Sequence, residues 1–214
     1  MIDSNFIKNT EINFPNVSRE TLKELDDYGM SIISKNKDIN LISSTTEKSV
    51  NTRHIADSAQ TIDFIDNIEI NTCTDLGSGA GLPGIVLSIL MKHKKPQFKV
   101  IFYEKSFHKS KFLIEMSKKF NLNTEVYQKN IFEEKNLSTD VIISRAFKPL
   151  PIIFEIAEKN FKNFKFIILF LGKSGKKILN EALEHWKFDY EEKESITNPE
   201  SMIIKISNLK KRNG

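Results

Sequence analysis

The sequence is poor in cysteine and in long apolar runs. Its one cysteine, Cys73, cannot form an internal disulfide, which is typical of proteins in a reducing compartment. The longest apolar run, residues 166–171, is far too short to cross a bilayer, since a membrane helix needs about 20 apolar residues. The amino terminus lacks the basic start and the apolar stretch of a signal peptide. We therefore expect a cytoplasmic protein that has no structural disulfide and no membrane partner.

An excess of charge of one sign is also missing. The chain has 32 lysines and arginines against 28 aspartates and glutamates, so its formal net charge is only +4. The basic residues nevertheless cluster, at 92–95, 105–111, 173–177 and 210–212. Such clusters favour a polyanionic partner through phosphate neutralisation, although lysine-rich surfaces also simply solvate helices. Charge is therefore compatible with a nucleic-acid partner without demonstrating one.

Hydrophobic periodicity divides the chain into a helical part and an alternating part. Apolar residues at helical spacing predict helices at 17–37 and 46–66. From residue 70 onwards strands and helices alternate, which predicts a parallel sheet covered by helices on both faces. The predicted strands are 71–76, 98–104, 124–128, 139–144 and 164–171, the helices are 83–93, 107–121, 150–161 and 175–186, and extended segments follow near 187–194 and 201–207. These last two segments have no helix between them, so they predict a hairpin with an antiparallel strand. We predict an α/β fold, with a helical extension (1–66) packed on the main domain (67–214).

Glycine is scarce, yet half of the eight glycines lie within eight residues. They belong to the segment Asp-Leu-Gly-Ser-Gly-Ala-Gly-Leu-Pro-Gly, residues 75–84, which we call the glycine turn. The turn joins a predicted strand to the apolar run 85–90. Such density indicates positive φ angles or a ligand that lies against bare backbone. Pro83 suits the first turn of the following helix, where its missing N–H is not needed. The glycine turn therefore predicts a nucleotide or nucleoside site.

Two cofactors fit this turn. The spacing from Gly79 to Gly84 satisfies the dinucleotide fingerprint G-x-G-x-x-G, and Glu104, twenty positions later, could bind a ribose. However, the carboxylate of Asp75 would repel a pyrophosphate, whereas it suits the cationic end of S-adenosylmethionine. The antiparallel ending of the sheet also resembles a methyltransferase sheet more than a dinucleotide-binding one. We therefore favour S-adenosylmethionine and retain an NAD-linked oxidoreductase as an alternative.

The glycine turn is one of several motifs that occur together. The others are Asn40-Leu41, His54-Ile-Ala-Asp-Ser58 and Ile143-Ser-Arg-Ala-Phe147. In this order they resemble the bacterial small-subunit (16S) ribosomal RNA guanine-N7 methyltransferases, the RsmG/GidB family, from about residue 20 to the C-terminal strand. The resemblance implies a class I, Rossmann-like methyltransferase that uses S-adenosylmethionine. It also implies small-subunit ribosomal RNA as the partner, within the ribosomal particle, and we expect a monomer.

The resemblance also implies a cofactor site. Its members by similarity are Gly77, Leu82, Glu104, Ile131, Phe132 and Arg145, and the argument from charge and bare backbone adds Asp75, Gly79 and Gly81. The family often has a small residue followed by glutamate where this chain has Ile131-Phe132. Contacts there should therefore come from backbone groups and an apolar wall around adenine. The family's usual Leu-Lys-Gly is replaced by Leu171-Gly172-Lys173, which leaves the role of Lys173 open.

Polar residues outside the glycine turn are candidates for the substrate side. Arg145 follows a predicted central strand at its carboxyl end, where open sheets bind ligands, and could hold a carboxylate or an RNA phosphate. His54, Asp57 and Ser58 share a predicted helix face and form either a substrate-side wall or an ordinary polar stripe. Phe147 could stack on the target base or belong to the core.

The implied reaction needs neither a base nor a metal. Guanine N7 has a lone pair and no proton, so catalysis would come mainly from orienting the reactants. No residue is therefore certain to be catalytic, and the candidates are Arg145, Asp57 and His54. No cysteine–histidine cluster with metal-ligand spacing is present, so we expect no metal. The non-enzyme alternative is a ribosome- or RNA-binding protein of the same fold that has lost turnover, an alternative favoured only by the departures at 131–132 and 172–173.

Overall fold

A computed structural model describes residues 17–65 and 69–212. The predicted extension starts at residue 1 and its second helix ends at residue 66, so residues 1–16 and residue 66 of that prediction lie outside the described residues. The division of the chain at residues 66 and 67 remains a prediction.

The first helix, α1 (Arg19–Asn36), lies where its apolar spacing predicts it. Ser18 caps its amino end, because the Ser18 hydroxyl accepts a hydrogen bond of 3.1 Å from the Thr21 N–H. Leu25, Tyr28 and Ile32 are fully buried. The helix therefore packs on the rest of the molecule through the face that the spacing predicts.

The predicted second helix is wrong as a continuous α-helix. Residues 44–64 form a series of short pieces that we call the irregular segment: 3₁₀ turns at Ser44–Ser49 and Gln60–Phe64, a π-helical turn at Asn51–Ala56 and one α-turn at Asp57–Ala59. Short hydroxyl side chains explain the irregularity, since those of Thr46, Ser49, Thr52 and Thr61 each donate to the backbone carbonyl three residues earlier, at 2.8–3.2 Å. Such local bonds compete with regular helical hydrogen bonding.

Beyond the irregular segment, strands and helices alternate as predicted. The strands are β1 (Thr72–Leu76), β2 (Lys99–Tyr103), β3 (Thr124–Tyr127), β4 (Leu137–Ser138), β5 (Val141–Ser144), β6 (Phe161–Asn163), β7 (Phe166–Leu171), β8 (Trp186–Ser195) and β9 (Asn198–Lys211). The helices are α2 (Gly84–Met91), α3 (Phe107–Lys119), α4 (Leu150–Asn160) and α5 (Gly175–His185). No helix in the described ranges is both long and apolar enough to span a bilayer.

Seven of these strands form one sheet in the order β3-β2-β1-β5-β7-β9-β8. The first five pair in parallel, and β9 pairs antiparallel with both β7 and β8. The mostly parallel sheet with an antiparallel ending is thus confirmed. Sequence analysis missed β4 and β6, which form a separate parallel pair.

Two buried clusters cover the two faces of the sheet. One contains apolar residues of α1, the irregular segment, α2 and α3, together with the buried Cys73. The other contains residues of α4, α5 and β8, including Phe154 and Trp186. Because α1 and the irregular segment share a cluster with α2, the amino-terminal part is packed directly on the parallel sheet.

Candidate functional site

A cavity of about 630 Å³ lies at the carboxyl ends of β1, β2 and β5. Open α/β sheets bind their ligands at this edge, and ligand pockets usually measure about 300–1,000 Å³. The glycine turn and Glu104 contribute one wall. Leu41–Ser43, His54, residues 129–132 and residues 145–148 contribute the other.

The three glycines at the start of the turn have positive φ angles, and a Cβ at each would meet different surroundings. Gly77, Gly79 and Gly81 have φ values of 65°, 56° and 90°. A Cβ on Gly79 would meet nothing nearer than a backbone oxygen at 3.8 Å, so this residue presents bare backbone to open space. A Cβ on Gly77 would lie 2.0 Å from the Phe147 ring. A Cβ on Gly81 would lie 2.5 Å from Ile85, and Gly81 does not line the cavity. Of the predicted glycine contacts, therefore, the structure places only Gly77 and Gly79 at the cavity, beside Leu82.

Asp75 lies behind the turn and does not line the cavity. Its side chain is 1% exposed, and Oδ2 accepts a hydrogen bond of 3.0 Å from the Gly84 N–H at the amino end of α2. Burial raises the pKa of Asp75 to about 7; the Gly84 hydrogen bond opposes this shift and the nearby Glu104 carboxylate adds to it. That Asp75 faces the cationic end of a cofactor stays a prediction, whereas the structure directs its Oδ2 to the amino end of α2. The local chemistry explains why: the first N–H groups of a helix need an acceptor.

Glu104 joins the end of β2 to the glycine turn. Its Oε2 accepts a hydrogen bond of 2.9 Å from the Gly79 N–H, and its Oε1 accepts one of 2.8 Å from the Ser106 N–H. The carboxylate lines the cavity although the residue is only 8% exposed. Each carboxylate oxygen can accept more than one hydrogen bond, so Glu104 retains the capacity to bind hydroxyl groups of a ligand.

Two aromatic rings, those of Phe132 and Phe147, form part of the second wall. Phe132 is 47% exposed, and its ring centroid lies 6.3 Å from that of Phe147. The Lys148 ammonium group lies about 6 Å from both rings. Phe147 is half-buried against the second core cluster and also lines the cavity, and its stacking on a target base stays a prediction. Ile131 lines the wall beside Phe132 and is buried.

Arg145 lines the cavity and is tied to the irregular segment. Its Nη2 donates to the Arg53 carbonyl at 2.8 Å and lies 3.1 Å from Oδ2 of Asp57. Its Nη1 lies 3.5 Å from the Ser58 hydroxyl. Burial lowers the pKa of Arg145, and the Asp57 carboxylate opposes that shift. The structure thus brings Arg145 into contact with Asp57 and Ser58, a contact that the sequence did not predict.

Of the polar trio predicted to share a helix face, only His54 reaches the cavity. Its Nε2 lies 2.8 Å from the Thr46 hydroxyl. Burial lowers the pKa of His54 to about 4, and the Arg145 charge contributes in the same direction, so the imidazole is neutral at neutral pH. Asp57 and Ser58 are buried and do not line the cavity. Among the described residues, no group of three or more His, Cys, Asp and Glu side chains is placed to hold a metal.

Comparison with known proteins shows which family the chain belongs to. Residues 21–204 match the family described as GidB, rRNA small subunit methyltransferase G. The chain belongs to this family. It is 49% identical over 200 residues to the ribosomal RNA small subunit methyltransferase G of Pelagibacter ubique, a match that covers 92% of this chain and 93% of that protein. It is 38% identical over 195 residues to the protein of the same name from Rickettsia felis, covering 91% and 97%.

Comparison with a solved structure supports the predicted Rossmann-like fold. The structure of M. capricolum TrmK in complex with S-adenosylhomocysteine matches with a TM-score of 0.52 at 14% identity, covering 78% of this chain and 69% of that one. This likeness supports the predicted Rossmann-like class, while the family match confirms the predicted family and the enzyme class. S-adenosylmethionine, rather than NAD, is the cofactor of this methyltransferase.

Sequence analysis missed one buried contributor to the methyltransferase site. The Tyr28 hydroxyl donates a hydrogen bond of 2.6 Å to the Ala80 carbonyl, so α1 is bonded to the buried side of the glycine turn. Helical spacing marks Tyr28 only as a core position, and a polar atom on an apolar helix face was the one available signal. Lys173, whose role the sequence leaves open, pairs with Glu200 at 2.7 Å and does not line the cavity.

Proposed function

We propose that this methyltransferase transfers the methyl group of S-adenosylmethionine to N7 of a guanine in small-subunit ribosomal RNA. One observation carries the proposal: the glycine turn and the aromatic wall meet where the Phe147 ring lies against Gly77. A base stacked on that wall would lie next to a ligand held by the turn. Aromatic side chains commonly stack on unpaired bases in RNA recognition.

The residues of the cavity suit the parts of the cofactor. We propose that Glu104 accepts hydrogen bonds from the ribose hydroxyls and that Gly77, Gly79 and Leu82 form the surface beneath them. Ile131 and Phe132 would enclose the adenine, and Arg145 would bind the methionine carboxylate. Asp75 and Gly81 support this site indirectly, through α2 and the packing behind the turn.

Positioning is the main task of the protein in this reaction. S-adenosylmethionine supplies an activated methyl group on a sulfonium, and guanine N7 can attack it without losing a proton. The walls would hold the two reactants in line and exclude water, and such orientation can lower a barrier by up to about 7–11 kcal/mol. His54, neutral at neutral pH, adds a polar but uncharged group to the substrate side.

The charged rim of the cavity favours an RNA substrate. Lys105, Lys109, Lys129 and Lys148 all line the opening. Lysines in such positions bind phosphates and release counterions, which makes affinity salt-dependent. We further propose that the protein acts in the cytoplasm, as a monomer, on an assembled ribosomal particle. The aromatic wall can stack only on a base that is already exposed.

The test is methyl transfer in vitro, followed by mass spectrometry of the ribosomal RNA nucleosides. Small subunits from cells that lack the gene, and the naked RNA extracted from them, are each incubated with the protein and S-adenosylmethionine. We expect one additional 7-methylguanosine per small subunit, formed faster on the particle than on naked RNA. A methyl group on another atom would overturn the N7 assignment. No transfer to either substrate would favour the alternative of a binding protein without turnover.

A further inference from the structure

Asp57 lies in a buried hydrogen-bond network outside the cavity. The residue is 8% exposed. Its Oδ1 accepts hydrogen bonds from the Ser195 hydroxyl at 2.7 Å, the Thr197 hydroxyl at 2.9 Å and the Gln60 side chain at 3.1 Å. Ser195 is the last residue of β8 and Thr197 lies in the turn before β9, so one oxygen of Asp57 is held by the tip of the β8–β9 hairpin.

The other oxygen of Asp57 faces Arg145. Oδ2 lies 3.1 Å from Nη2, and only 16% of the Arg145 side chain is exposed. A buried cation needs a counter-charge with good geometry. Because three donors hold Oδ1, the carboxylate cannot rotate without breaking them, and Oδ2 is directed at the guanidinium.

The hairpin tip is held a second time through Gln60. The side-chain oxygen of Gln60 accepts a hydrogen bond of 2.9 Å from the Ile196 N–H, while its nitrogen donates to Asp57. The hairpin tip therefore contacts the irregular segment through both Asp57 and Gln60. A shift of the hairpin would be transmitted to the Asp57 carboxylate.

Arg145 keeps donors for a ligand while it is held in this way. A guanidinium has five N–H donors. The contacts with Arg53, Asp57 and Ser58 account for at most three of them. The remaining donors belong to a side chain that lines the cavity, so the network orients Arg145 without saturating it.

We propose that Asp57 is a positioning residue, which holds Arg145 in its cofactor-binding orientation and is itself held by the β8–β9 hairpin tip. The proposal rests on the proposed role of Arg145 in binding the cofactor carboxylate. It replaces a direct catalytic role for Asp57, whose carboxylate lies outside the cavity. A role confined to stability would predict a different result, because loss of the network would then lower the stability of the fold and leave cofactor affinity unchanged.

The test uses S-adenosylhomocysteine binding by calorimetry, on the full chain, with Asp57→Asn as the main variant. Asparagine keeps the size and one acceptor oxygen but removes the charge. We expect affinity to fall by about tenfold, the scale of coupling between residues in direct contact. We also expect the KM for S-adenosylmethionine to rise with little change in kcat. The double variant Ser195→Ala/Thr197→Ala should weaken binding by a smaller factor and keeps the test available if Asp57→Asn does not fold.

Asp63→Asn is the matched control. Asp63 belongs to the same irregular segment, and its carboxylate pairs with Lys193 of the same hairpin but does not contact Arg145. We expect this variant to bind S-adenosylhomocysteine like the wild type. A similar loss of affinity in Asp63→Asn would overturn the proposal, because any contact between segment and hairpin would then suffice.

A double-mutant cycle separates this proposal from the function it rests on. In an Arg145→Ala background, Asp57→Asn should cause no further loss of affinity. A full additional loss, or wild-type affinity in Asp57→Asn and in the hairpin variant, would overturn the positioning role. Wild-type affinity in Arg145→Ala would instead overturn the assignment of Arg145 to the cofactor site.

Discussion

The two walls of the cavity are built by different means. The first wall consists of one short stretch of chain, the glycine turn, and Glu104 from the neighbouring strand. It acts largely through backbone groups with positive φ angles. The second wall comes from residues 41–43, His54, residues 129–132 and residues 145–148, and it acts through side chains. A ligand therefore meets a continuous backbone surface on one side and an assembly of separate side chains on the other.

The two walls also differ in how readily their residues could be replaced. Backbone contacts require particular φ angles and close packing, so the glycine turn admits few alternatives. Side-chain contacts at a partly exposed wall can be replaced by others of similar shape. Ile131 and Phe132 lie on this second wall, whereas Lys173 lies outside the cavity.

The largest expected effect comes from adding one methyl group to the first wall. In Gly77→Ala, the new Cβ would lie 2.0 Å from the Phe147 ring, on a residue with φ of 65°. We expect a stability loss of about 2–4 kcal/mol, from overpacking and from a left-handed alanine. S-adenosylhomocysteine binding should fall by more than about 100-fold, which corresponds to roughly 3 kcal/mol. Urea unfolding and calorimetry measure the two effects.

Gly172→Ala is the control for this variant. A Cβ on Gly172 would meet nothing within 4 Å. We expect its stability and its affinity to match the wild type. If Gly77→Ala bound the ligand equally well, the first wall would not depend on bare backbone and the contrast between the walls would fail.

A smaller effect, on the pH dependence of stability, is expected from Asp75, the buried carboxylate behind the glycine turn. The pKa of Asp75 is about 7 in the folded protein and about 3.9 in an unfolded chain, so the folded state binds the proton more tightly. Stability should therefore be lost as pH rises from about 4 through 7. Relative to Asp75→Asn, the free energy of unfolding of the wild type should fall by about 2–3 kcal/mol between pH 5 and pH 8. Urea titrations of both proteins measure this difference, and a constant difference would contradict the raised pKa.

The same contrast explains what could be predicted from the sequence. The first wall lies in one motif on a strand–turn–helix unit, so the motif predicted its location. The motif left two cofactors open, and the choice between them came from Asp75, the antiparallel strand and the family resemblance. The contact between Arg145 and Asp57 joins residues far apart in the chain, and no local pattern encodes it. The irregular segment was predicted as one helix because its apolar spacing is helical, whereas hydroxyl side chains decide its backbone. The hydrogen bond between Asp75 and Gly84 could not be predicted, because a motif gives the position of a carboxylate but not its direction.

The smallest expected effect concerns the exposed ring of the second wall. Phe132 contacts Phe147 at a centroid distance of 6.3 Å and is 47% exposed, so Phe132→Ala should change stability by less than about 0.5 kcal/mol. If the ring encloses adenine, its loss should weaken S-adenosylhomocysteine binding by about three- to tenfold, the range expected for one aromatic contact. Phe107→Ala is the matched control, because Phe107 is 59% exposed and does not line the cavity. Unchanged cofactor affinity with a raised KM for ribosomal RNA would move Phe132 from the cofactor to the target base. Weaker cofactor binding or a raised KM for ribosomal RNA would each show that the second wall binds through a side chain. If Phe132→Ala changed neither value, Phe132 would not belong to the site.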